Sequence, residues 1–318
     1  MHMDGEVMVS VVCLAYNHEK YIRHTLEGFV SQKTSFPFEV VIHDDASKDN
    51  TAAIIREYAE KYPNIIRPIY QTQNQHSQKK PIHKLYTIPL VRGKYVALCE
   101  GDDYWTDTQK LQKQFDIMEN NPDYSICTHK IQEILENGEK TDRYRPNISL
   151  IEGKISVGDF LKIQKHYPFQ TASYFMKASL WKSLIQDPPA FRRAADVGDE
   201  PMLLYMLAHG DLYYLPDCMS VYRVCSIGSW SYQNQNDFSR KAKHAQKMYE
   251  MMCLYDEYTN HKYDCNLSLY RGRMLLYNKE FKELLKKENR AYVKQLSFKK
   301  RSYIRVCAMF PFLGRYMK

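Results

Sequence analysis

The sequence predicts an α/β protein, with a mostly parallel central sheet flanked by helices and a helical C-terminal extension. Three observations carry this. Short β-branched and apolar runs alternate with stretches whose apolar residues recur at helical spacing, the pattern of a parallel sheet covered on both faces. The first run, Val7 to Ala15, is apolar almost without interruption, as a strand buried on both faces must be. The acidic clusters fall directly after strands, where open α/β sheets take ligands.

Taken in order, Val7–Ala15 is the first strand, and Asn17 offers a cap to a helix marked by Ile22, Leu26, Phe29 and Val30. Glu39–His43 is a second strand, closed by the polar turn Asp44-Asp45-Ala46-Ser47-Lys48-Asp49. Ile54, Ile55, Tyr58 and Tyr62 mark the next helix. Ile65–Tyr70 and Tyr95–Cys99 are strands, and the polar, unpatterned Gln71–Pro81 between them reads as a mobile loop. Asp107 caps a helix carrying Leu111, Phe115 and Met118, and Tyr124–Thr128 is another strand. Beyond residue 150 the pattern loosens. Val157–Ile163 and Pro201–His209 are helical, Ser173–Met176 is a strand, and the Tyr- and Lys-rich chain past Asn236 is helical to about Asn289.

The 318 residues are enough for one large domain with an appendage. Forty-five Lys and Arg against 37 Asp and Glu give +8, unevenly placed. From Lys279 onward twelve cations face three glutamates, +9, so the preceding 278 residues sum to −1. A near-neutral body with a basic tail argues against a nucleic-acid partner. The eight cysteines show no CxxC spacing, which excludes a zinc ribbon or a redox pair, and Cys13, Cys99 and Cys127 sit in apolar runs as small buried hydrophobes. A reducing, cytoplasmic setting is expected. No stretch approaches the ~18 apolar residues of a membrane span, and Met1–Glu6 reads as the lead-in to a strand, not a signal peptide.

Several chemistries are absent. No GxGxxG or GxxxxGK[ST] loop occurs, His18-Glu19 fails as a metalloprotease motif because position 22 is Ile, and there is no Gly-x-Ser-x-Gly elbow. A bound diphosphate would need another holder. Asp44-Asp45 after one strand and Glu100-Gly101-Asp102-Asp103 after another supply it, since carboxylates at strand ends suit Mg²⁺ or Mn²⁺ bridging to phosphates. Each acid could instead merely cap a helix.

Four motifs in order then carry a resemblance: Val9-Ser10-Val11-Val12 with Tyr16-Asn17; Asp44-Asp45-Ala46-Ser47 with Asp49 and Thr51; Gly93-Lys94-Tyr95; and Glu100-Gly101-Asp102-Asp103-Tyr104-Trp105. Together, over about residues 7–130, they resemble the family-2 inverting glycosyltransferases of the GT-A (nucleotide-diphospho-sugar transferase) fold. A weaker continuation runs through Gly198-Asp199-Glu200, Leu207-Ala208, Gly210 and Tyr222-Arg223 to Trp230-Ser231. The resemblance implies a GT-A domain over 1–235, with a nucleotide-binding half at 7–130 and an acceptor half at 131–235, followed by a basic helical extension over 236–318. It implies metal-dependent transfer of a sugar, from a UDP-linked donor, to a saccharide or lipid-linked glycan acceptor with inversion, in cell-surface polysaccharide or glycan synthesis.

Carried over residue by residue, Ala15, Tyr16 and Asn17 line the donor, Tyr16 and Asp45 hold the nucleobase, and Asp44 shapes the same turn. Glu100 and Asp102 match the Asp-x-Asp signature, with Asp102 and Asp103 toward the Mn²⁺ or Mg²⁺. Asp199 is the candidate base, with Glu200 behind it, although Asp199 could only cap the helix it opens. Arg223 would meet the diphosphate or form a structural ion pair. Two departures stand out. Glu100 replaces the usual first Asp, and Cys225 stands where relatives carry a His after Tyr-Arg.

Phe298 to Leu313 mixes cations with aromatics and aliphatics, which suits either an anionic membrane face, giving peripheral attachment to its inner side, or a helix packed on the body. Two other classes remain. A sugar-phosphate nucleotidyltransferase would show a Gly-rich basic loop where Ala15-Tyr16-Asn17-His18 stands, and a non-catalytic nucleotide-sugar-binding module would survive loss of its acids.

Overall fold

The computed structural model describes residues 5–164, 169–224 and 237–310. The Trp230-Ser231 motif, Cys225, the boundary at 235 and the tail beyond Phe310 lie outside the described residues. The chain divides into two compact units, residues 1–188 with 202–227, and residues 189–201 with 228–318.

In the first unit, β1 (Val9–Ala15) is the hub. Six of its seven residues are buried, and it pairs in parallel with β2 (Phe38–Asp44) on one side and β4 (Tyr95–Leu98) on the other. All of β2 and β4 is buried as well, which is why β4 and the Val40–Ile42 centre of β2 run apolar without alternation. β3 (Ile66–Tyr70) extends the parallel block beyond β2. Helices α1 (Ile22–Val30), α2 (Thr51–Lys61) and α3 (Lys110–Asn120) follow β1, β2 and the short β5 (Tyr104–Trp105). Ile22, Leu26 and Phe29 of α1 seal one face of the core that β1, β2 and β4 share.

The other half of the sheet changes direction. β6 (Tyr124–Ile134) and β10 (Asp211–Arg223) are parallel to each other, but β9 (Phe175–Lys177) enters antiparallel between β4 and β6. β5, β7 (Lys140–Arg145) and β8 (Gly153–Ile155) also pair antiparallel. The order β3-β2-β1-β4-β9-β6-β10-β5, with β7 on β6 and β8 on β10, is therefore a mixed sheet. A buried apolar run reads the same in either direction, so the sequence could not show this. Helices α4 (Val157–Ile163) and α5 (Ala178–Gln186) complete the region, and α7 (Asp199–Ala208) begins in the second unit and ends in the first.

Several local expectations shift. The helix after β1 begins at Ile22 with Tyr21 at its cap, while Asn17 takes a left-handed φ of 55° and serves a loop instead. Ser173 belongs to a 3-10 turn, and the strand starts at Phe175. Gln71–Pro81 has no regular structure, but Asp45 ties it down.

The second unit is helical. It comprises α6 (Ala190–Ala194), α8 (Phe238–Tyr258), α9 (Leu267–Tyr277), α10 (Phe281–Leu284), α11 (Arg290–Gln295) and α12 (Phe298–Met309). Leu275, Phe281, Leu284, Tyr292, Ile304 and Cys307 form its own small core, so helix continues past Asn289. Segment 189–201, read above within the 1–235 domain, groups here because Phe191 lies edge-on to Tyr255 and Tyr258 at 5.2 and 5.1 Å.

Candidate active site

The carboxyl ends of β2, β1 and β4 bring two acid loops to either side of one strand end. Ala15 is in register with Asp44, and the Ala15 carbonyl accepts from the Asp45 N–H at 3.0 Å. On the other flank the Leu14 carbonyl accepts from the Gly101 N–H at 2.9 Å. Strands lie about 5 Å apart, so the two loops start about 10 Å from each other on the same sheet edge.

The β1–α1 and β2–α2 loops are zipped together by short polar side chains. Asn17 N–H donates to Ser47 Oγ, Lys48 N–H to Asn17 Oδ1, His18 N–H to Thr51 Oγ1 and Glu19 N–H to Asp49 Oδ2, all within 3.0 Å. This satisfies backbone that lies beyond the sheet, and leaves Tyr16 exposed at the rim. Asp44 and Asp45 part company here. Asp45 accepts from the Gln75 and His76 N–H groups at 2.7 and 2.9 Å, one on each carboxylate oxygen, and so pins the 71–81 loop. Asp44 receives Ser47 N–H on Oδ2 at 3.3 Å, while its buried Oδ1 has no partner.

The second loop is held from three directions. Thr25 Oγ1 donates to the carbonyls of Gly101 and Asp103, Trp105 Nε1 donates to the Ala172 carbonyl, and Asp103 Oδ1 accepts from the Arg223 N–H at 2.8 Å. The Arg223 guanidinium spends itself on the carbonyls of Asp102, Leu135 and Glu136 and lies 4.3 Å over the Tyr21 ring. It is a clamp between β10 and the acid loop. Burial, reinforced by the neighbouring Asp102 charge, pushes the Glu100 carboxyl up to about 8 and the buried Asp103 carboxyl well above the usual range.

Among the described residues no three His, Cys, Asp or Glu side chains stand together as a metal cage. Mg²⁺ and Mn²⁺ sites that borrow substrate phosphates need only one or two carboxylates, and the donor set here suits that kind. Glu100, Asp102 and Asp103 are the carboxyl groups of this loop that could hold the ion, and Asp103 has one oxygen on the Arg223 N–H.

His18 was missed by motif reading, which tested it only against a zinc pattern. Its Nδ1 is buried without a partner, and its ring lies against Gly101 so closely that a Cβ there would come within 2.6 Å of Nδ1. Burial lowers its pKa, with Asp102 and Asp49 pulling the other way. The dipeptide Asn17-His18 between Tyr16 and Glu19, just after a buried strand, was the available signal.

Asp199 and Glu200 lie in the first turn of α7, within the second unit. Asp199 Oδ1 accepts from the Glu200 N–H at 2.9 Å, and Glu200 accepts from the Tyr270 hydroxyl at 3.1 Å. In the same segment Asp196 meets His244 Nδ1 at 2.8 Å.

A strand hub with acid loops on both sides and a motif series from residue 10 onward match a known family. The glycosyl transferase family 2 model covers residues 10–184, more than half the chain. This chain belongs to glycosyl transferase family 2. It is 36% identical over 234 residues to the protein Rv1520 of Mycobacterium tuberculosis, a match spanning 70% of this chain and 60% of that protein's length. Among solved structures, Staphylococcus aureus TarS 1–349 with UDP-GlcNAc superposes with a TM-score of 0.57 at 16% identity, over 91% of this chain and 79% of that one. The mannosyltransferase PcManGT from Pyrobaculum calidifontis, with GDP-Man and Mn²⁺, gives 0.54 at 13% identity, over 97% and 81%. At such identity these two establish a shared GT-A fold.

Proposed function

We propose that this chain transfers a sugar from a nucleotide-diphosphate sugar, UDP-linked, to a saccharide or lipid-linked acceptor hydroxyl, with inversion and with Mn²⁺ or Mg²⁺, in cell-surface glycan synthesis. The observation that carries the proposal is the placing of the Asp44–Asp45 and Glu100–Asp103 loops on both sides of the β1 carboxyl end. The ligands of the two solved neighbours, UDP-GlcNAc and GDP-Man with Mn²⁺, support the donor class.

In this reading Tyr16 stacks on the nucleobase, and Asp45 offers it an acceptor with Asp44 beside it: each Asp45 oxygen keeps a lone pair beyond its bond to the 71–81 loop, and Asp44 Oδ1 has no partner. Ala15 and Asn17 shape the floor. When bound, the ion neutralises charge building on the leaving diphosphate. Glu100 and Asp102 present their carboxyl groups from a poorly solvated loop that the Arg223 clamp and Thr25 keep from relaxing. Asp199 carries over from the family pattern as the base that takes the acceptor proton, with Glu200 beside it.

Calorimetric titration of the full chain with UDP- and GDP-sugars, with and without Mn²⁺, tests this. One donor should bind, more tightly with metal, and Asp102→Asn should weaken it tenfold or more. A uniform lack of binding and of slow donor hydrolysis, with and without metal, refutes the proposal. Donor binding without any donor hydrolysis, unaltered in both Asp102→Asn and Asp199→Asn, would leave a non-catalytic binding module.

A further inference from the structure

We propose that the outward face of α12 is a docking surface for an anionic lipid bilayer. At about 100° per residue, Phe298, Ser302, Val306 and Met309 fall within an arc of about 80° on one side of the helix. Opposite them Ile304 and Cys307 are buried in the core of the second unit. The outward strip is apolar and open, with Phe298 74%, Met309 66% and Val306 40% exposed, and Phe310 continuing it at 51%. Lys299 borders the strip on one side and Arg301 and Arg305 on the other. From Arg290 to the end of the sequence there is no acidic residue.

An apolar strip framed by cations fits the boundary between headgroups and acyl chains of an anionic leaflet, where rings and thioethers enter the apolar layer and cations meet phosphates. Twelve helical residues span about 18 Å, short of the ~30 Å of a hydrocarbon core, so α12 would lie in the surface plane. No helix among the described residues is long and apolar enough to cross a membrane. A second copy of the chain is a poorer occupant, because self-pairing of this face would set Lys299, Arg301 and Arg305 against their own equivalents. The proposal is independent of the donor reading, since it concerns where the protein sits and not what it transfers.

Sedimentation of the full-length chain with phosphatidylcholine vesicles, and with the same vesicles containing phosphatidylglycerol, tests it at low and high salt. The chain should pellet with the phosphatidylglycerol vesicles only, and less so at high salt. Lys299→Gln with Arg305→Gln should lower the partition coefficient about 25-fold, roughly fivefold for each cation. Phe298→Ser with Met309→Ser should lower it tenfold or more with charge unchanged and with the melting temperature of the parent, since neither residue enters the core. Failure to pellet, or pelleting that both double variants retain, overturns the proposal. So does a concentration-dependent dimer that Phe298→Ser with Met309→Ser dissociates while vesicle binding stays as in the parent.

Discussion

Replacing Lys110 by Met should stabilise the fold near neutral pH, by an amount that shrinks as pH rises. Lys110 opens α3 and is fully buried; its Nζ donates to Gln114 Oε1 at 2.8 Å and sits 4.0 Å from the Trp105 ring centroid. Burial lowers its amine to about 7, against a weaker pull from the Cys99 and Cys127 thiols. In the unfolded chain the same amine titrates near 10.4. Between those values the unfolded state holds more protons, so stability rises with pH, by about 1.4 kcal/mol per unit where the difference is complete. At pH 7 the buried amine costs about 4 kcal/mol, and by pH 8.5 about 2.5, a gain of about 1.5 kcal/mol for the parent across that window. Met keeps the apolar stem but leaves Gln114 Oε1 without its donor, a constant cost of about 1–3 kcal/mol that leaves the slope untouched. Urea denaturation followed by circular dichroism, on both proteins at pH 7 and 8.5, reads the difference. The thiols Cys13, Cys99 and Cys127, which burial raises in the folded protein, ionise alike in both unfolded chains and cancel from the difference. Equal pH dependence in the two proteins would refute the argument, as would a parent that loses ground to Lys110→Met on going to pH 8.5.

Two other substitutions probe the sheet and the loop. Gly101→Ala would place a Cβ 2.6 Å from His18 Nδ1 and 3.1 Å from both Ala15 Cβ and Ile22 Cδ1, so about 1–3 kcal/mol of stability should be lost together with donor affinity; thermal melting and calorimetry at parent values would show that the loop has slack. At the amino end of the sheet, buried Glu39 accepts from Ser10 Oγ, Arg67 and Arg92. Burial raises its carboxyl, but these hydrogen bonds outweigh that and hold its pKa down. Its contribution is present above the unfolded pKa and is lost as pH falls through the folded one. Glu39→Ala should cost about 3–5 kcal/mol in urea denaturation at pH 7, and a loss under 1 kcal/mol would mean the arginines find other partners.

The nucleotide half was legible because each of its signals is local. Buried parallel strands must be largely apolar, as β1 and β4 are and as the Val40–Ile42 centre of β2 is, and loops at their carboxyl ends must be polar, so strand, acid turn and helix follow one another in the sequence. The direction of β9 was not legible, since pairing direction depends on partners far away in the chain. Nor was the division of labour at 44–45. Two adjacent aspartates look equivalent as letters, yet only the approach of Gln75 and His76 commits Asp45 and leaves Asp44 Oδ1 without a partner. Arg223 likewise could be read as a phosphate ligand or a structural cation, and three carbonyls and the Tyr21 ring decide which contacts it makes.

The sequence by itself determined the strand–helix alternation, the acids at strand ends, the family, and the uneven charge that loads the last forty residues. Tertiary structure alone decided which acid is committed and which is unpaired, that Lys110 lies beneath Trp105, and that residues 189–201 group with the C-terminal helices. Composition and spacing are properties of neighbours along the chain. Burial and hydrogen-bond satisfaction depend on whatever folding brings alongside, and those set the charge state and availability of each side chain.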